Sequence, residues 1–107
     1  MSNITEVTDQ NFKDKVINSE KPVLVDFWAP WCMPCRMMGP VFEDTAKFFD
    51  GKVDFVKMNT DSNQTTAIDF GIMSIPSLVL FKGGQEVDRL IGVQSAESLQ
   101  TAIDNVL

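Results

Sequence analysis

The chain has 107 residues, 44% hydrophobic and 22% charged, which suits one globular domain over 1–107 with a core of its own. A net charge of −6 argues against nucleic-acid phosphates and anionic membranes as main partners. With no histidine, His-assisted nucleophilic catalysis and histidine metal sites are removed, and two cysteines in one chain cannot complete a four-thiolate zinc site.

The segment Met1 to Glu6 has no basic region followed by an apolar core, so it does not resemble a secretory signal, and no apolar run has membrane-spanning length. A cytosolic location is the expectation, and in a reducing cytosol a Cys-x-x-Cys pair is more often catalytic or metal-binding than structural. Thr8 or Asp9 is placed to cap a first helix with Phe12 and Val16 on one face. Glu20-Lys21-Pro22 ends it. The near-continuous apolar run Val23 to Ala29 predicts a strand buried on both faces. Inside that run, Asp26 should be desolvated, which raises a carboxyl pKa.

A second helix is expected to start around Cys32 to Pro34, since proline fits a first turn where its missing N–H costs nothing. Pro40 falls inside the same helix and should kink it. Asp50-Gly51 is a stop signal. Val53 to Met58 reads as a strand, and Ser62 to Phe70 as a third helix ending at Gly71. Ser77 to Phe81 and Glu86 to Ile91 read as antiparallel strands joined at Gly83-Gly84. Ser95 should cap a last helix carrying Leu99, Ala102, Ile103 and Val106 on one stripe. The order predicts an α/β fold, a central mixed sheet covered by helices on both faces.

Cys32 and Cys35 fall at the junction of the first long strand and the following helix. A helix start leaves N–H groups unpaired and carries partial positive charge, which favours a thiolate. As a structural disulfide the pair would close a very short loop and stabilise little. As a redox pair, Cys32, at the more exposed helix end, attacks a substrate disulfide, and the more buried Cys35 resolves the mixed disulfide. Arg36 adds positive charge nearby or is a plain exposed arginine. Among the methionines, Met37 and Met38 are expected in the helix core, while Met33 and Met73 border the cysteines, where thioethers suit a promiscuous surface.

Over essentially its whole length the chain resembles the thioredoxin family. The matching residues are Asp26, Trp28-Ala29-Pro30-Trp31, Cys32 and Cys35 with Pro34, Pro40, Lys57, Asp61, Ile75-Pro76, Gly84 and Gly92. Three departures stand out: Met33 replaces the usual glycine between the cysteines, Ser77 the more familiar threonine, and Ile72 to Ile75 lacks the usual small or basic residues. The resemblance implies a thioredoxin fold and protein-disulfide reduction through Cys32 and Cys35. It implies that Asp26 acts through water as the base for Cys35, beside the alternative of a buried polar residue that only supports the fold. Lys57 tunes Asp26 or is an exposed strand lysine; Met33 and Pro34 join the tuning set. The resemblance further implies that Ile75-Pro76 is cis and faces the cysteines, and that Ser74, Ile75, Pro76, Gly92 and Trp31 contact the substrate. In the family, Asp61 bonds the indole corresponding to Trp28; alone it would equally be a helix cap.

The expected partners are client proteins with disulfides and a separate thioredoxin reductase, since the chain has no flavin or nicotinamide fingerprint; a monomer without bound cofactor or metal is expected. Two rivals remain: an oxidase or isomerase whose potential Met33 has shifted, and a non-enzymatic module, including a metal or iron–sulfur site shared by two chains.

Overall fold

A computed structural model describes residues 4–107, so the part of the signal-segment reading that rests on Met1 to Asn3 lies outside the described residues. In chain order the elements are β1 (Thr5–Glu6), a π-helical turn (Lys13–Ile17), β2 (Val23–Trp28), α1 (Met33–Phe48), β3 (Asp54–Asn59), α2 (Gln64–Asp69), β4 (Ser77–Lys82), β5 (Gln85–Ile91) and α3 (Ala96–Asp104). The five strands form one mixed sheet in the order β1-β3-β2-β4-β5. β2 runs parallel to β3 and antiparallel to β4, which explains why almost every residue of β2 is buried.

The alternation of β2 splits the core into two layers. Val23, Val25 and Phe27 pack with Phe12, Val16, Val56, Met58, Val79 and Phe81. Leu24 points the other way and packs with Met38 and Phe42 of α1 and Leu99 and Ile103 of α3. Each large side chain sealed in these layers contributes on the order of 1.5–3 kcal/mol by leaving water. Asp26, two residues after Leu24, therefore lies on the α1 and α3 face of the sheet.

The first helix is a single π turn rather than the regular helix expected, though Phe12 and Val16 are buried as its periodicity implied. Thr8 does not cap this helix, whose N-cap is Phe12 without a side-chain bond; Thr8 instead closes the turn leading into it, its Oγ1 accepting from the Asn11 N–H (3.3 Å) and Asn11 Oδ1 accepting from the Thr8 N–H (2.7 Å). Asp9 does not cap its own turn. Its carboxylate crosses to the start of α2, accepting from the Thr66 N–H (2.9 Å), the Thr66 hydroxyl (2.7 Å) and the Thr65 N–H (3.3 Å). α2 is shorter at its start than expected because Asn59 and Asn63 hold the preceding residues as a turn: Asn59 Oδ1 accepts from the Asp61 N–H, and Asn63 Nδ2 donates to the Asn59 carbonyl.

α1 is continuous across Pro40, which leaves the Arg36 carbonyl without its usual i+4 donor. Gly51 follows the end of α1 with φ +82°, as its stop signal implied. The β4–β5 hairpin turns on Gly83 and Gly84, both at positive φ, and a Cβ on Gly84 would sit 3.0 Å from the Ile17 carbonyl oxygen. Ser95 caps α3, its Oγ accepting from the Ser98 N–H at 3.1 Å. Val106 falls just beyond α3 but still packs against the core. No described helix is long and apolar enough to cross a membrane.

Candidate active site

β2 ends at Trp28 and the chain turns through Ala29, Pro30 and Trp31, where the Cys32 N–H donates to the Ala29 carbonyl at 3.1 Å. Cys32 is itself the N-cap of α1, in extended backbone, one residue ahead of Met33 and two ahead of Pro34. Serine or aspartate usually fills such a position with an oxygen; here the acceptor is Cys32 Sγ, which takes the Cys35 N–H at 3.2 Å. The two cysteines form a disulfide with their Cα atoms 5.3 Å apart, within the ordinary span. The helix start that was expected to favour a thiolate thus reaches the sulfur by a direct hydrogen bond.

Burial does not separate the two cysteines. Each is 4% exposed, against the expectation of an exposed Cys32 and a buried Cys35. Ala29, Trp28 and Ile75 pack around both, so the helix end that would have opened Cys32 to water is covered from two sides. What distinguishes Cys32 is its capping bond and the Ile75 carbonyl oxygen 3.8 Å from its sulfur.

Ile75-Pro76 is a cis peptide bond, as the resemblance implied, and Ile75 lies against the disulfide. The loop carrying it is fixed from both ends. The Ser77 hydroxyl donates to the Ser74 carbonyl at 2.5 Å, and the Gly92 N–H donates to the Pro76 carbonyl at 2.8 Å. Gly92 has φ +86°, a conformation that favours glycine. Arg89, which the sequence did not single out, spans Glu86 and the carbonyls of Phe70 (2.6 Å) and Gly71 (3.3 Å), tying β5 to the start of the same loop. No motif announces this contact, because it depends on a fold-level approach of two segments.

Trp31 is 71% exposed, Met33 64% and Met73 94%; Trp31 and Met33 flank Cys32 in the chain, and Met73 lies two residues before the Ile75 that packs on the disulfide. Met37 joins these exposed methionines, whereas Met38 is sealed in the core. The expectation that Met37 was core is corrected by helix geometry. Met38 and Phe42 are four residues apart on the buried face, while Met33 and Met37 are four apart on another. A groove past Lys21, Pro40, Glu43 and Asp54 is lined by neither cysteine.

The indole of Trp31 donates to both oxygens of Asp61, at 3.0 and 3.2 Å. Asp61 was expected to bond Trp28, and the reason for the difference is local. Thr60 bonds the Trp28 carbonyl through its N–H (2.8 Å) and its hydroxyl (3.2 Å), which sets Asp61 beside the turn that carries Trp31. The indole of Trp28 instead interacts with the Glu6 carboxylate, outside standard hydrogen-bond geometry. The Lys57 ammonium sits 4.7 Å from the centroid of the Trp28 ring.

Asp26 is fully buried, and neither of its oxygens accepts a hydrogen bond from any described residue. Burial pushes its carboxyl up to about 7; Lys57 pulls it down and Glu6 pushes it up. Lys57 is half-buried and stands opposite Asp26 in the β2–β3 register, so the reading as a plain exposed strand lysine is set aside. Glu6, not foreseen from sequence, stands opposite Lys57 in the β1–β3 register. Among the described residues no three His, Cys, Asp or Glu side chains converge as a metal site.

The arrangement can exchange a dithiol for a disulfide, and comparison with known proteins agrees. The thioredoxin family model matches residues 3–105. The chain is 50% identical to a thioredoxin of Synechocystis sp., over 100% of both chains. It is 54% identical to a thioredoxin of Alicyclobacillus acidocaldarius, over 94% of this chain and 95% of that one. It is 44% identical to the chloroplastic thioredoxin M4 of Arabidopsis thaliana, over 97% of this chain and 54% of that one. The chain belongs to the thioredoxin family and is a thiol–disulfide oxidoreductase whose redox-active pair is Cys32 and Cys35.

Proposed function

We propose that the chain is a single-domain, monomeric carrier of reducing equivalents that reduces disulfides in client proteins of the cytosol, without a bound cofactor. In its dithiol form the Cys32 thiolate attacks one sulfur of a client disulfide. The S–S bond breaks, one client thiolate leaves, and a Cys32–client mixed disulfide forms. Cys35 then passes its proton through water to Asp26 and attacks Cys32 Sγ. The second client thiol is released and the Cys32–Cys35 disulfide remains, so two electrons have passed to the client. A thioredoxin reductase returns two electrons to close the cycle.

The observation that carries this reading is the Cys35 N–H on Cys32 Sγ in the disulfide, a donor that would favour negative charge on that sulfur in the dithiol form. Asp26 suits the proton-accepting role because it is buried, on the face that carries α1, and titrates near neutrality. Trp31, Ser74, Ile75, Pro76 and Gly92 form the client-contacting set. The peptide edge at Ser74 and Ile75 would pair with an extended client segment as an added strand. Met33, Pro34 and Lys57 set the potential and the basicity around the pair. The test is trapping. Cys35→Ser accumulates a mixed disulfide with client proteins and Cys32→Ser accumulates none, whereas equal trapping by both variants overturns the order of attack.

A further inference from the structure

Three ionisable side chains occupy one row of the sheet: Glu6 in β1, Lys57 in β3 and Asp26 in β2. Residues in register across neighbouring strands project to the same face. With strands about 4.8 Å apart, Glu6 and Asp26 stand roughly 10 Å from one another with the lysine between them. Beyond Asp26 the row continues as Leu78 and Leu90, which carry no charge. From above, α1 buries Cys35, Met38, Phe42 and Thr45, none of which titrates while Cys35 is in the disulfide, and α3 buries Leu99, Ala102 and Ile103. The charge that Asp26 meets on this face therefore comes from Lys57 and Glu6.

A lysine beside a buried carboxylate would ordinarily close on it, because an unpaired buried charge is costly. Lys57 does not. Neither Asp26 oxygen takes a hydrogen bond, from Lys57 or from any other described residue. The ammonium lies over the Trp28 ring, 4.7 Å from its centroid, on a strand flanked by Asp26 on one side and Glu6 on the other, and its charge acts on both carboxyls.

We propose that Glu6 is a positioning residue for the reaction: by sharing the Lys57 ammonium toward the edge of the sheet, it keeps that ammonium from pairing with Asp26 and leaves the buried carboxylate available to receive a proton. A Lys57–Asp26 ion pair would hold Asp26 ionised but too weakly basic to take the Cys35 proton. Glu6 prevents this without touching either cysteine. The direction agrees with the local electrostatics: Lys57 favours ionisation of both carboxyls, and Glu6 opposes that of Asp26. The inference rests on the reading of Asp26 as proton acceptor.

The experiment is a carbon-13 NMR titration of the Asp26 carboxyl in the oxidised protein, for wild type, Glu6→Gln and Glu6→Asp. Removing the Glu6 charge should move the Asp26 midpoint toward acid by roughly half a pH unit, the size expected for a unit charge at this separation in a partly solvated setting. Glu6→Asp should keep most of the wild-type value. In a Lys57→Met background the effect of Glu6→Gln should shrink to less than half. The pH profile of mixed-disulfide resolution should move with the midpoint in Glu6→Gln, a readout that a merely structural edge residue would not shift. An unmoved midpoint in Glu6→Gln, or an undiminished shift in the Lys57→Met background, overturns the inference. If Asp26→Asn keeps the wild-type resolution profile, the reading of Asp26 fails, while the carboxyl midpoint still decides whether Glu6 governs Lys57.

Discussion

The backbone N–H of Cys35 donates to the sulfur of Cys32 across 3.2 Å in the disulfide form, and the same donor would favour negative charge on that sulfur once the disulfide is reduced. The bond is one-sided, since the first free N–H groups of α1 converge on its N-cap and not on a residue within its first turn. The two cysteines are equally buried, so this bond is a difference between them that burial does not supply.

Alkylation of the reduced protein at mildly acidic pH should therefore label Cys32 first, by a margin of about tenfold or more, since each unit of thiol pKa separation is a tenfold difference in thiolate fraction. Peptide mapping by mass spectrometry measures it. Preferential labelling of Cys35 would show that access, and not the hydrogen bond, governs reactivity.

Asp26 carries a stability cost with a defined pH window. Its carboxyl is raised from an ordinary 3.8 to about 7 in the folded protein. Between those values the folded chain binds more protons than the unfolded one, so stability falls as pH rises through the window. Above about 7 the loss is complete and amounts to about 4 kcal/mol. Asp26→Asn has no such window. Denaturant unfolding of the two proteins at pH 4 and pH 8 should show a gap favouring the variant that widens by a few kcal/mol at the higher pH. A gap independent of pH would mean that Asp26 titrates normally.

Met33 is 64% exposed as the first residue of α1, directly between the cysteines. Replacing it by glycine frees the backbone at that point and strips apolar surface there. Met33→Gly should change the potential of the pair by tens of millivolts, where about 30 mV corresponds to roughly 1.4 kcal/mol, and should reorder catalytic efficiencies across several protein disulfides. Redox titration and parallel client assays check it. If potential and ranking both stay put, Met33 is a neutral surface substitution.

Trp31 is 71% exposed yet held by two hydrogen bonds from its indole to Asp61. Asp61→Ala releases the ring, so a client must order it on docking. KM for protein disulfides should rise about three- to tenfold, near the net value of one ordinary hydrogen bond, while kcat and reduction of a small aromatic disulfide change little. Equal losses on both substrate types would assign Asp61 to the chemistry or to the fold.

Local rules made most of the fold legible. The apolar run before Trp28, the Gly83-Gly84 turn and the Ser95 cap each depend on residues close in the chain, and each recurs in the structure near its expected bounds. The misreadings came from longer range. Asp9 looked like a local cap but serves Thr65 and Thr66, more than fifty residues away. Asp61 was matched to the wrong indole because its partner is set by how Thr60 grips the Trp28 carbonyl. At the site, the cysteines and the buried aspartate announced themselves by spacing and by a charge inside an apolar run. Glu6 gave no such signal, because its significance lies in a strand register that only pairing reveals.

The hairpin turn at Gly84 has a consequence for anyone wishing to attach cargo to this molecule. Surface turns joining strands are ordinarily the places where a chain accepts insertions or new ends. This one is closed, because any side chain at Gly84 would meet the Ile17 carbonyl and adopt an unfavourable backbone conformation as well. The turn after α1 at Gly51 shares the backbone conformation but has open space around it, and it belongs to a stretch remote in sequence from both the cysteines and the cis-proline loop. A tag, a reporter or a circular cut belongs there, where the added chain has room and the client-facing surface is left to do its work.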